Sequence, residues 1–472
     1  MKKEDFILTL SKLVMSNRLT RHFATKQIDK LLYKTMVTDE TKYSQEVKLD
    51  RYYGVKSLLV TAMKNINKGL ISKEFANHAM ETLVKGSMIG SEERLKIMAA
   101  FKEKYGINPP GLVVISPTKK CNLKCIGCYA SSSGDHVETI EWSLLDKMMT
   151  ELHDDMGIRF FVISGGEPLM YASEGKTILD LPRKWPDSFF LMYTNGTLIT
   201  PDIAKQMAEL GNLTPAVSTE GYKEETDQRR GSGIYDRSME AIKNLKAVKV
   251  PFGISVTATK KNAELLTDSK FYNYYFGELG ASYMWMFQYM PIGREFSTEL
   301  MISPSQRFEL YKKWKSLVHN EHWFVADFWN SAEMCDGCIS CGKGYFYIDW
   351  NANIMPCVFI PYYKDNVRDL YAQGKKVTDA LFSDFFVKGR EWQEDYLKRP
   401  APGANLLRPC LIRDHHKDFM GIVNSCSNIK PEDEAAKDAL GSEEYHQKLY
   451  AFDEELKSIE DPYWNENLAK ED

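Results

Sequence analysis

The chain of 472 residues carries nine cysteines, and three of them stand together as Cys121, Cys125 and Cys128. Thiolates separated by gaps of three and two residues wrap one corner of a cubane iron–sulfur cluster. The fourth iron then lacks a protein ligand and is open to a small chelating molecule. A second group, Cys335, Cys338, Cys341 and Cys357, is followed by Cys410 and Cys426. Short spacings of this kind point to metal rather than to disulfides in a reducing compartment. Four thiolates satisfy a [4Fe–4S] cluster, and they also satisfy zinc. The best set is Cys338, Cys341, Cys357 and Cys410, with Cys335 and Cys426 as substitutes.

The elements that must position these groups are legible from period and punctuation. From Gly111 short apolar strands alternate with amphipathic helices. Strands are predicted at 112–116, 160–164, 189–194, 215–219, 253–258 and 283–289, with helices such as 143–152, 201–210 and 238–248 between them. That alternation predicts a parallel sheet, and six repeats predict a partial (β/α)6 TIM-type barrel. Each predicted strand runs into a polar motif. Ser164, Gly165, Gly166, Glu167 and Pro168 follow the second, and Thr194, Asn195, Gly196 and Thr197 the third. Ser218, Thr219, Glu220 and Gly221 close the fourth, ahead of Asp227, Arg229 and Arg230. Thr257 closes the fifth. Gln288, Tyr289, Met290 and Pro291, with Arg294 beyond, close the sixth. Singly, each reads as a turn or a solvated loop. In order, at the carboxyl ends where barrels assemble their sites, they read as one site.

The run Cys-Asn-Leu-Lys-Cys-Ile-Gly-Cys-Tyr at 121–129 resembles the signature of radical S-adenosylmethionine (SAM) enzymes. The resemblance implies a [4Fe–4S] cluster on Cys121, Cys125 and Cys128 that cleaves SAM reductively. The 5′-deoxyadenosyl radical so made abstracts a substrate hydrogen. It also implies SAM contacts from Gly165, Gly166, Glu167, Pro168, Asn195, Ser218, Glu220, Arg230, Thr257 and Met290. On this reading Glu167 pairs with the SAM ammonium and Arg230 with its carboxylate. The segment around Cys341 to Cys357 resembles the start of a SPASM or twitch extension, implying one auxiliary [4Fe–4S] cluster. No residue is assigned the catalytic role on the substrate.

Domain boundaries are expected at 1–108 (all-helical), 109–300 (partial barrel), 301–430 (a small mixed auxiliary-cluster domain) and 431–472 (an acidic, solvated helical tail). Net charge is −4, which disfavours a nucleic-acid partner. The first residues lack the apolar core of an export signal, and no apolar run reaches membrane-span length; a cytoplasmic location is expected. The substrate is not given, with peptide or protein modification favoured. Alternatives are a lipid-modifying enzyme whose basic start (Lys2, Lys3 and Lys12) touches a membrane surface, a molybdenum-cofactor-type nucleotide cyclase acting on a small molecule, and a non-catalytic iron–sulfur protein. An electron donor such as ferredoxin or flavodoxin is implied.

Overall fold

The computed structural model describes residues 18–399 and 404–469. The lysines at 2, 3 and 12 lie outside these, so the expected membrane-contacting start is outside the described residues.

The N-terminal segment is helical as expected. Its helices are α1 (Arg18–Tyr33), α2 (Gln45–Asn67), α3 (Lys73–Ala79) and α4 (Glu92–Tyr105). Ser44, Ser72 and Ser91 cap the last three by accepting from Val47 N, Phe75 N and Arg94 N. They do not form a free-standing unit. Asn65 on α2 donates to Gly280 O, Ala281 O and Ser282 Oγ at 2.9–3.1 Å. Thr61 donates to His322 O at 3.1 Å, so α2 is fastened to the loops that enter the barrel's far edge.

All six expected strands are present: β1 (Leu112–Ile115), β2 (Phe160–Ile163), β3 (Phe189–Thr194), β4 (Leu213–Ser218), β5 (Gly253–Ala258) and β6 (Tyr283–Gln288). Each pairs in parallel with the next. Covering helices include α5 (Trp142–Asp154), α6 (Pro201–Leu210), α7 (Lys223–Arg230) and α8 (Ile234–Ala247). Helix α6 shows why the sequence breaks where it does. Thr200 caps it, Pro201 opens it, and Gly211 closes it in the left-handed region at φ 70°. Two features exceed the expectation. A seventh strand, β7 (Val325–Asp327), extends the sheet in parallel beyond β6. At the opposite edge β8 (Tyr347–Ile348) pairs in parallel with β1, through Val114↔Tyr347 and Ile115↔Ile348. The chain then turns back in a hairpin of β8 with β9 (Asn353–Met355), antiparallel, followed by β10 (Asp365–Asn366). The sheet order is β10-β9-β8-β1-β2-β3-β4-β5-β6-β7. Three residues is too short for β7 to show periodicity in sequence.

The second cysteine group thus sits in chain that continues the barrel sheet. Cys341, Phe346, Ile348 and Ile354 pack in the same core as Val113, Ile115 and Phe161. After α9 (Pro304–Ser316) come α10 (Asp384–Lys398), α11 (His416–Ser425) and α12 (Glu443–Asn467). The acidic tail is helical but not simply solvated: Tyr445, His446, Leu449, Leu456, Glu460 and Trp464 of α12 are buried. Glu454, Glu455 and Lys457 between them face water, while Asp453 accepts from His416 N and Asp461 pairs with Arg408; it is the spacing of the apolar residues that builds a packing face. Among the described residues no helix is long and apolar enough to cross a membrane.

Candidate active site

The loop after β1 carries Cys121, Cys125 and Cys128, and four connections hold it over the carboxyl end of the sheet. Gly166 N donates to Thr118 O and Glu167 N to Lys120 O, both at 2.9 Å. A Cβ on Gly166 would lie 2.2 Å from Lys120 O, so only glycine lets the two loops touch. The close approach made by this glycine is to the cysteine loop. Beyond β6, Gly293 lies so near the same loop that its Cβ would sit 2.2 Å from Tyr129 O and 2.5 Å from Cys128 O. Arg294 then donates from Nη1 to Cys125 O at 2.9 Å and from Nη2 to Ser132 O. Finally Arg229 donates from Nε to Ile126 O at 3.2 Å and from Nη2 to Gly127 O at 3.3 Å.

Glu167 is fully buried, and its carboxylate is used internally. One oxygen accepts from Thr194 Oγ1 at 2.7 Å and Leu169 N at 3.2 Å, the other from Asn195 N at 2.8 Å. The residue expected to meet an ammonium group therefore ties the β2 loop to the β3 loop. Burial raises its pKa. Asn195 in turn donates to Asn122 Oδ1 at 2.9 Å and points the same Nδ2 at Cys121 Sγ, 3.9 Å away. Pro168 is buried behind this loop, in its short helical turn.

Glu220, at the end of β4, has a side chain with only 2% of its surface exposed, and one of its oxygens receives two arginines. Arg229 Nη1 lies 2.6 Å from Oε1, and Arg230 lies at 2.7 Å through Nε and 2.5 Å through Nη2. Its second oxygen accepts from Thr257 N at 3.2 Å. Burial pulls the Arg230 guanidinium down, but Glu220 and Cys125 outweigh it and its pKa is raised. Ser218 is buried on β4 opposite Ser255, and Met290 is buried with its sulfur 3.9 Å from Arg413 Nη1.

Burial pushes the Cys121 thiol up to about 12, with Glu167 adding to it, and burial raises Cys125 as well. These thiols hold their protons at neutral pH and must release them to any metal. Among the described residues no three His, Cys, Asp or Glu side chains converge as the ligands of a single ion do. The chemistry of the donor set fits a cubane, which spreads its thiolates over separate irons. The cationic Arg229 and Arg230 act on Cys125 in the sense that favours its thiolate.

The second group is assembled from three elements. Cys338 and Cys341 flank Ser340, whose Oγ lies 3.2 and 3.5 Å from their sulfurs. Cys357 Sγ meets Tyr345 OH at 2.8 Å and accepts from Phe359 N at 3.4 Å. Cys410 opens the short helix Leu411–Asp414. Cys338 and Cys357 are among the groups that act on both Cys341 and Cys410, so the four thiols share one region. Burial lifts Cys341 and Cys357 to about 12 and raises Cys410 well above the ordinary thiol value. Gly389 on α10 makes room, since a Cβ there would lie 2.3 Å from Cys341 Sγ. Cys335 is exposed beside Arg51, Asp336 and Lys343, while Cys426 lies by Asp384 and Lys388.

Two residues escaped the reading of the sequence. Glu432 stands in the acidic run, where a solvated role is the natural expectation. It follows the strand pair of Lys430 and Pro431 with Tyr363 and Tyr362, and its surroundings are Asp349, Asp433, Lys119 and Cys128. Loss of solvation raises its pKa well above the carboxylate range. Arg413 is fully buried, with its guanidinium over the rings of Trp329 (5.4 Å) and Phe452 (5.1 Å). Burial and Arg307 pull it down to about 10. Tyr193, Trp285, Phe287, Phe328 and Phe359 line the inner side of the sheet near both cysteine groups, in ring contacts such as Tyr193–Phe287 at 5.5 Å and Phe287–Phe359 at 6.0 Å.

Residues 115–264 match the model of the Radical SAM superfamily, and the chain carries a radical SAM domain there. The AdoMet-dependent heme synthase of Methanosarcina barkeri is 26% identical over 294 residues, spanning 56% of this chain and 80% of that protein. The mycofactocin maturase MftC of Mycolicibacterium smegmatis is 24% identical over 307 residues, 62% of this chain and 73% of that protein. Among solved structures, SuiB of Streptococcus suis bound to S-adenosylmethionine superposes with a TM-score of 0.54 at 16% identity, over 78% of this chain and 89% of that one. That likeness confirms the partial-barrel fold. The radical SAM relatives are enzymes, among them heme synthases and maturases.

Proposed function

We propose that Cys121, Cys125 and Cys128 hold the [4Fe–4S] cluster of a radical SAM enzyme, and that Cys338, Cys341, Cys357 and Cys410 hold an auxiliary one. The observation that carries this is the convergence of three segments, the loops after β2 and β6 and the end of α7, on the first cysteine loop at the carboxyl end of a parallel sheet. A cluster held there, when bound with SAM, supplies the electron that releases methionine and a 5′-deoxyadenosyl radical able to abstract a substrate hydrogen. The chain's own residues do the positioning. Arg229 and Arg294 fix the loop carbonyls. Glu220 holds Arg230 beside Cys125 with a guanidinium edge for a carboxylate. The aromatic inner wall keeps the reacting volume dry.

The favoured substrate is a peptide or protein side chain, supported by the similarity to a maturase over 62% of this chain. A tetrapyrrole is the second reading, supported by alignment with 80% of a heme synthase. The test is anaerobic reconstitution followed by turnover. Two clusters predict about eight irons per chain, with about half retained when Cys121, Cys125 and Cys128 are all replaced by alanine. Loss of all iron, or of none, rejects two independent sites. One zinc per chain rejects the auxiliary iron–sulfur assignment. Deuterium from labelled peptide or labelled porphyrin appearing in 5′-deoxyadenosine separates the two substrates.

A further inference from the structure

Arg413 poses a problem that its protein neighbours do not solve. It is fully buried, yet Nε and Nη2 have no hydrogen-bond partner among the described residues. Only Nη1 is engaged, with Tyr289 O at 3.3 Å and Met290 Sδ at 3.9 Å. Two carboxylates that act on it, Asp414 and Asp327, are already committed. Asp414 is gripped by Arg307 at 2.5 and 3.1 Å and also accepts from Cys410 N at 3.0 Å. Asp327 accepts from Trp329 N, Asn330 N and Asn330 Nδ2. The ring under Arg413 repeats the pattern: Trp329, 1% exposed, has an indole Nε1 with no partner that meets hydrogen-bond geometry. Buried donors are ordinarily satisfied, and a buried guanidinium calls for an anion. Both donors lie beside Cys410. Arg413 follows it by less than one helical turn, and Trp329 and Cys410 act on each other through their polar atoms.

We infer that Arg413 and Trp329 donate N–H groups to the sulfurs of the auxiliary cluster, as a cationic wall that sets its reduction potential. The inference rests on the two-cluster reading above. A [4Fe–4S] cluster with four thiolates carries net negative charge, so it is an anion of the kind this wall lacks. Hydrogen bonds to the sulfurs and nearby positive charge stabilise the reduced form more than the oxidised one and raise the potential. Arg413 also touches the end of β6 through Tyr289 O, so the same side chain spans from the SAM-side loop to the auxiliary thiols.

The test is an anaerobic redox titration of the reconstituted holoenzyme, followed by electron paramagnetic resonance, with iron and sulfide measured alongside. Trp329→Phe keeps the ring and removes only the N–H; Arg413→Gln keeps donors and removes the charge. Each should shift the auxiliary midpoint to more negative potential, the arginine variant further, while the midpoint of the Cys121 cluster and the iron content stay at the wild-type values. Unchanged midpoints at full iron content overturn the inference and leave the two-cluster reading standing. Auxiliary iron lost from Trp329→Phe assigns the pair a packing role and overturns it as well. A wild-type protein with four irons and one cluster signal overturns the two-cluster reading, and this inference with it.

Discussion

Arg230 and Glu220 form a buried ion pair, Nη2 to Oε1 at 2.5 Å, and Arg229 reaches the same oxygen at 2.6 Å. The two arginines differ in what else they hold. Arg229 also binds two carbonyls of the cysteine loop, whereas Arg230 hydrogen-bonds to no other side chain or carbonyl among the described residues. Arg229→Ala is therefore expected to lower cluster content, and Arg230→Ala to leave iron in place while weakening SAM binding at least about tenfold. Removing one partner of a buried pair costs roughly 3–5 kcal/mol, enough for either effect. Iron analysis and SAM binding by equilibrium dialysis check both, and normal iron in Arg229→Ala rejects the loop-clamp role.

Glu167→Gln isolates the tie between the β2 and β3 loops. The amide keeps one acceptor oxygen where the carboxylate serves three donors. A donor left unsatisfied in the interior costs about 1–3 kcal/mol. The apoprotein should melt at lower temperature by several degrees, with no SAM present to explain the loss. An unchanged melting point, with weaker SAM binding instead, returns Glu167 to the role of ammonium partner.

Gly166→Ala tests the contact between the β2 loop and the cysteine loop. Its Cβ would fall 2.2 Å from Lys120 O, a backbone atom that moves only if the loop moves. Reconstituted iron at the Cys121 site should drop, while the auxiliary site keeps its share. Full iron in this variant means the loop yields without harm.

Stability should fall as pH rises from about 4 to about 8. Burial lifts Asp453 and Glu460 to about 8. The native chain then holds protons that the unfolded chain gives up near pH 4. Their contribution is complete below that value and is lost as pH rises through 8, with a slope of at most about 1.4 kcal/mol per unit for each group. Urea midpoints should decline between about pH 4 and pH 8 and level off above, and Asp453→Asn with Glu460→Gln should flatten the decline. A parallel decline in the double variant excludes these groups.

The six barrel strands were legible because apolar runs of strand length recur between capped helices, and the polar motifs fell where the chain turns at their carboxyl ends. The closeness of Cys338 and Cys341 was legible from spacing, but Cys410 opens a later helix, and spacing alone left Cys335 and Cys426 as substitutes. What the sequence hid were destinations. Nothing local tells that Glu167 points back at Thr194, since the partner is 27 positions away. Nothing local separates Glu432 from the solvated acids around it, because burial is decided by the strand beside it. Arg413 reads as one more charged residue of the chain until the rings of Trp329 and Phe452 are seen against it.

The pairing of β1 with β8 joins residues more than two hundred positions apart, Val114 with Tyr347. A ribosome must therefore release most of the polypeptide before the first barrel strand gains its second neighbour. Until then β1 presents an open row of amides and carbonyls, the kind of edge that recruits other chains. A fragment ending at residue 300 would keep that edge for good, and it is expected to aggregate although it contains the whole loop of Cys121, Cys125 and Cys128.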